Sequence, residues 1–147
     1  HRVDRRQRQM CIRDRIKTSP DPLQPFHIAQ GYTVGDLLFT SGQAAIDKQG
    51  KLVGIGDFDA QAEQTLNNLD EILTLGGSSL KQVVKVTIYL TDMANFGKIV
   101  ALRKRFFTPP YPADTIVEVK SLALPELEIE IEAVALTNGN VREAHAS

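Results

Sequence analysis

Two stretches decide the fold: residues 112–119, Pro112-Ala113-Asp114-Thr115-Ile116-Val117-Glu118-Val119, and residues 127–135, Leu127-Glu128-Ile129-Glu130-Ile131-Glu132-Ala133-Val134-Ala135. Both alternate with the period of two that sends successive side chains to opposite faces of a strand. In the second, Ile129, Ile131, Ala133 and Ala135 share one face, opposed by Glu128, Glu130, Glu132, Val134 and Leu136. The spacing predicts strands over 114–121 and 127–137, joined around Leu124-Pro125-Glu126.

Working outward, 84–91 alternates Val84, Val86, Ile88 and Leu90 with Lys85, Thr87, Tyr89 and Thr91, a strand with one face in a core. Between this strand and residue 112 lies a helix. It starts at an Asp92 cap, carries Met93, Phe96, Ile99, Val100 and Phe107 on one stripe, and stops before Pro109-Pro110-Tyr111-Pro112, whose rings remove backbone donors. Upstream, Ala62, Leu66, Leu69, Ile72 and Leu73 fall three or four apart, Asp57 or Asp59 caps the start and Gly76-Gly77 ends it, which predicts an amphipathic helix over 58–75. The apolar run 36–41 leaves Gly35, and 30–34 pairs back across the Gly35-Asp36 turn as a hairpin. Asp47-Lys48-Gln49-Gly50 reads as a turn before a small strand at 51–53.

Hairpin, helix, strand, helix, strand, strand is the order of an α+β two-layer sandwich, a mixed sheet with two helices on one face. The other face mixes apolar residues with Lys85, Thr87 and Tyr89. It is too apolar for water and too polar for a core, which suits a subunit interface.

With 42% hydrophobic and 24% charged residues, the chain has the composition of a soluble globular domain, and no run approaches a membrane span. The net charge of −1 hides an asymmetry: residues 1–15 hold six arginines and two aspartates, leaving 11 basic and 16 acidic residues elsewhere, or −5. A mildly acidic domain repels phosphate backbones, so nucleic acid is not an expected partner. Residues 1–15 lack the apolar core of a secretion signal and are read as a non-native or disordered basic extension, 16–137 as the domain, and 138–147 as a flexible tail. Cys11 falls in the extension, so cysteine chemistry is not expected of the domain, and His1, His27 and His145 are too scattered for a histidine metal cluster.

Several separated matches, in order, resemble the Rid (YjgF) family over roughly 16–136. They are Ser41-Gly42-Gln43, Gln61, Asn68, Val84-Lys85-Val86-Thr87, Asp92-Met93, Phe96, Phe106-Phe107, Pro112-Ala113 and Val117-Glu118-Val119. The resemblance implies a cytoplasmic homotrimer of chorismate-mutase-like subunits that binds a small molecule between neighbours, without metal or organic cofactor. Its best-known branch hydrolyses reactive imines and enamines. There an arginine after Pro-Ala grips the substrate carboxylate two hydrogen bonds at a time, and a glutamate on the last strand orients water. The glutamate matches Glu130, the expected catalytic residue, while backbone groups near Ser41 and Gly42 hold the other end of the ligand.

Asp114 stands where that branch has the arginine. At about 4 Å and an effective dielectric of ~20, a substrate carboxylate meets roughly 4 kcal/mol of repulsion from it, and the lost charged hydrogen bonds cost roughly 1.5 to 3 kcal/mol more. Alternatively, Asp114 is a turn carboxylate facing water. Two further positions depart from the pattern: Val100 replaces an asparagine and Ile28 an aromatic residue. Ile116, two residues beyond Asp114, is a further candidate lining residue. Arg103, one turn past Val100, is either a substitute anchor or a side chain whose stem packs on the core while its head meets solvent or a glutamate. Glu128, Glu130 and Glu132 share a face, and their mutual repulsion raises a pKa. Ser41 has no histidine nearby to make it a nucleophile. Tyr89 and Tyr111 either line the cleft or cap the interface.

Two functions follow. One is an imine or enamine hydrolase whose substrate is altered by Asp114; the other is a catalytically inactive trimeric small-molecule-binding or chaperone-like module. The endoribonuclease label carried by some relatives finds little support in an acidic domain without a histidine pair.

Overall fold

Strand β6 (Ile129–Leu136) lies inside the sheet, flanked by antiparallel neighbours on both sides, β3 (Leu37–Thr40) and β4 (Val83–Leu90). The structure, a computed structural model, describes residues 13–146. With β1 (Arg13–Ile16), β2 (Gly31–Val34) and β5 (Ala113–Glu118), the strand order is β1-β2-β3-β6-β4-β5. Only β4 and β5 run parallel, because the helix α2 (Phe96–Phe106) carries the chain back between them. Helix α1 (Phe58–Leu75) spans the residues that its periodicity predicts, with the Asp57 carboxylate accepting the Ala60 N–H at its start. This is the expected two-layer α+β sandwich.

One core holds it together. Leu66, Leu69, Ile72 and Leu73 of α1 and Ile99 of α2 pack against Leu38, Val86, Ile88, Leu90, Ile129, Ile131 and Ala135. Each leucine, isoleucine or valine among them contributes roughly 1.5–3 kcal/mol by leaving water. Gly76, just past α1, lies where any Cβ would press on Leu38 and come within 2.7 Å of Ile16, so glycine lets the helix end seat on the sheet.

Four expectations are corrected. Arg13, Asp14 and Arg15, assigned to the extension, form β1 with Ile16 and pair with β2; residues 1–12, including Cys11, lie outside the described residues. An irregularity in the β4–β6 ladder between Val83 and Lys85 breaks the strict alternation, so Val83, not Val84, joins Val86, Ile88 and Leu90 in the core. On α2 the apolar stripe is narrower than expected: Ile99 is buried, whereas Phe96 and Val100 are 44% and 45% exposed. The helix sits toward the β5 edge and meets the core along one side only. Beyond β6, the Thr137 N–H bonds Asp36 O and the Gly139 carbonyl accepts from Gln82, so the start of the expected tail is tied to the domain.

Candidate functional site

The sheet register divides the expected site residues between two faces. Across β6, β4 and β5 the rows Val134–Lys85–Ala113, Glu132–Thr87–Thr115 and Glu130–Tyr89–Val117 lie on the open face, away from the helices. Phe39, Tyr32 and Leu37 extend that face across β3 and β2, each more than a third exposed. Asp114 and Ile116 pair with Val86 and Ile88 and point to the helix side. Within one chain, Glu130 and Asp114 therefore stand on opposite faces of the sheet.

Glu130 anchors the first group. Its carboxylate lies over Gly42, whose missing side chain makes the room: a Cβ there would sit 2.5 Å from Oε2. The bridge between Gln43 and Ile131, with N···O distances of 2.8 and 2.9 Å in its two directions, fixes this approach. The Glu130 carboxylate has no hydrogen-bond partner among the described residues. Burial, followed by repulsion from Glu132, raises its pKa above the ordinary carboxylate value. The expectation of a raised pKa on this face holds, but burial outweighs the neighbouring charge. Glu128 leaves the row: its backbone N–H and carboxylate meet Gln61 on α1.

Ser41 has little left to offer a ligand. Its hydroxyl donates to Ala29 O at 2.5 Å and its N–H to Gln30 O at 2.9 Å, holding the Ile28 loop against the start of this segment. The Gly42 N–H has no hydrogen-bond partner among the described residues, so the backbone donor at this end is Gly42 alone. Ile28, 44% exposed, is one residue from the Ala29 contact.

Tyr89, left open by the sequence, belongs to this face. It stands opposite Glu130, yet its hydroxyl donates diagonally to Glu132. That hydrogen bond, with burial and both carboxylates adding, pushes the Tyr89 hydroxyl above its ordinary value. Tyr89 thereby occupies Glu132 and leaves Glu130 free. Lys85 is occupied too, its Nζ 2.6 Å from Thr115 Oγ1. Period-two registers across adjacent strands were the signal for these pairs, but strand neighbours were needed to read it.

The second group centres on Asp114. It is not a turn carboxylate in water: its side chain is 16% exposed, and Oδ2 accepts from Arg103 Nε at 2.8 Å. Arg103 thus pairs with an aspartate rather than a glutamate, and its guanidinium lies 6.0 Å from the centre of the Phe96 ring. Oδ1 is buried with no partner. Val100 is one turn earlier on α2, and Ile116 packs half-buried against the core on the same side of β5 as Asp114. Tyr111 is exposed just before β5.

Among the described residues, no group of three or more histidine, cysteine, aspartate or glutamate side chains is arranged to hold a metal ion. No helix among them is long and apolar enough to cross a membrane.

Comparison with known proteins bears on this arrangement. A family model described as Endoribonuclease L-PSP matches residues 16–137. RutC family protein y4sK of Sinorhizobium fredii is 42% identical across 79% of this chain and 90% of its own length. The chain belongs to the Rid (YjgF) family. Another Rid relative, the 2-iminobutanoate/2-iminopropanoate deaminase of Salmonella typhimurium, is 33% identical across 82% of this chain and 93% of that protein. The crystal structure of RidA from the Antarctic bacterium Psychrobacter sp. superposes with a TM-score of 0.76 at 31% identity, covering 84% of this chain and 98% of that one.

Proposed function

We propose that this Rid-family chain hydrolyses small imines or enamines in a cleft between copies of itself, with Glu130 activating the water. The observation that carries the reading is the partnerless Glu130 carboxylate lying over Gly42 with its proton affinity raised. A carboxylate in that state takes a proton from water more readily than an ordinary surface glutamate. The water oxygen bonds to the imine carbon while Glu130 accepts its proton. Returning that proton to nitrogen completes a carbinolamine. Glu130 then takes the hydroxyl proton and passes it to nitrogen, so the C–N bond breaks with its electron pair leaving on ammonia while the C–O bond becomes the carbonyl. The relative named for 2-iminobutanoate and 2-iminopropanoate supports this chemistry.

The opposite placement of Glu130 and Asp114 supports a site completed by a second copy, because one chain cannot bring both to one ligand. The exposed apolar residues Tyr32, Leu37, Phe39 and Val117 on the Glu130 face suit a homotrimer interface. Ammonia release from freshly generated 2-iminobutanoate tests the reading. Native protein accelerates it, and Glu130→Gln lowers kcat by about a hundredfold or more, the usual reach of a general base. No acceleration by the native trimer sinks the proposal in favour of a binding module.

A further inference from the structure

We infer that Arg103 is the carboxylate anchor of this chain, moved from the strand to helix α2, and that Asp114 is the positioning residue that aims it. The inference rests on the proposed function for the identity of the molecule bound, not for the geometry.

Arg103 and Asp114 meet through one bond, Nε to Oδ2 at 2.8 Å. A guanidinium has two edges that can each grip a carboxylate with parallel hydrogen bonds, one made of Nε and a terminal nitrogen, the other of both terminal nitrogens. Asp114 holds the first edge by Nε alone. The two terminal nitrogens have no hydrogen-bond partner among the described residues, and the Arg103 side chain is 26% exposed. Its second edge is therefore open, while the Nε bond holds the guanidinium at Asp114 with the Phe96 ring 6.0 Å away.

The surroundings favour a small organic anion over water alone. Val100, one turn earlier on α2, exposes 45% of its surface, and Phe96 exposes 44%. Apolar neighbours strengthen a directional charged contact by excluding solvent. The repulsion expected from a bare Asp114 is offset at the source, since its charge is paired at 2.8 Å. The pair as a whole is neutral, so it gives little long-range attraction. Recognition rests instead on the geometry of the open edge: a carboxylate matches two parallel donors, whereas a carboxamide offers only one acceptor oxygen.

The experiment measures dissociation constants of pyruvate and its uncharged analogue pyruvamide by NMR titration of the assembled full chain. Native protein is expected to prefer pyruvate. Arg103→Leu, and Arg103→Gln as a second variant in case the first does not fold, should weaken pyruvate binding roughly tenfold to a hundredfold and abolish the preference. Asp114→Asn and Asp114→Ala both remove the charge, but only asparagine keeps an acceptor for Nε. Asp114→Asn should therefore bind pyruvate about tenfold more tightly than Asp114→Ala. The inference is overturned if native protein does not bind pyruvate, if either Arg103 variant binds it as tightly as native, or if the two Asp114 variants behave alike. Pyruvate binding without imine turnover would refute the proposed function and leave the anchor standing. Turnover with an unchanged KM in the Arg103 variants would do the reverse.

Discussion

Glu130 occupies the space that a side chain on residue 42 would fill, with Oε2 2.5 Å from the position of a Cβ there. The two residues are thus a matched pair: the glycine exists in the form the carboxylate needs. A methyl group at 42 forces Glu130 to swing aside, and because the displaced atoms end a flexible side chain, the fold tolerates the move. Gly42→Ala is expected to lower kcat/KM for imine hydrolysis by about tenfold to a hundredfold, as a misplacement near 1 Å does, with only a small change in melting temperature. Steady-state kinetics beside a thermal melt checks both halves.

On the proposed mechanism, activity should rise with pH along a limb set by Glu130, since a general base works deprotonated. Burial and Glu132 raise its pKa, so the limb lies above the ordinary carboxylate value of 4.5. Glu132→Gln removes the repulsive charge and should move the limb to lower pH, but not all the way, because burial is the larger cause. The same shift sets stability. A carboxyl whose pKa is raised by folding favours the native state when protonated, so that contribution is complete below the unfolded value and is lost as pH rises through the folded one. Glu130→Gln should therefore gain stability relative to native protein between pH 4 and pH 8, read from urea midpoints across that range.

Phe39 is 42% exposed on the open face and outside the core, so Phe39→Glu should leave the fold intact while preventing the proposed assembly. Sedimentation velocity is expected to show monomers with native circular dichroism and no imine turnover. A trimer that survives the change moves the interface elsewhere.

Burial on α1 and exposure on α2 set very different costs for losing a side chain. Leu69, with no exposed surface, should cost about 2–5 kcal/mol on substitution by alanine. Val100→Ala, at a position 45% exposed, should stay within about 0.5 kcal/mol. Equilibrium urea unfolding of the two variants separates a core side chain on α1 from a largely exposed one on α2.

Helix α1 was legible because its signals are local: cap, period and terminating glycines all lie within Asp57 to Gly77. The alternation in β6 was equally plain. β1 was not, because Arg13-Asp14-Arg15 carries no apolar period and becomes a strand by pairing with β2 at the sheet edge. The fault in the β4 alternation was invisible for a similar reason, since a ladder irregularity is a relation between strands. At the site, Glu130 and Gly42 could be named from sequence, but not their contact. The role of Arg103 stayed undecided because its partner lies across the helix-to-strand connection, where a proline-rich turn sets the distance and no periodicity reports it.

The separation of Glu130 and Asp114 by the thickness of the sheet makes catalysis, as proposed, a property of pairs of chains. Two damaged alleles could then rescue each other: mixed assemblies of Glu130→Gln and Arg103→Leu chains would contain some clefts in which the intact half of each meets the other. Co-expression would restore part of the turnover that neither chain has alone.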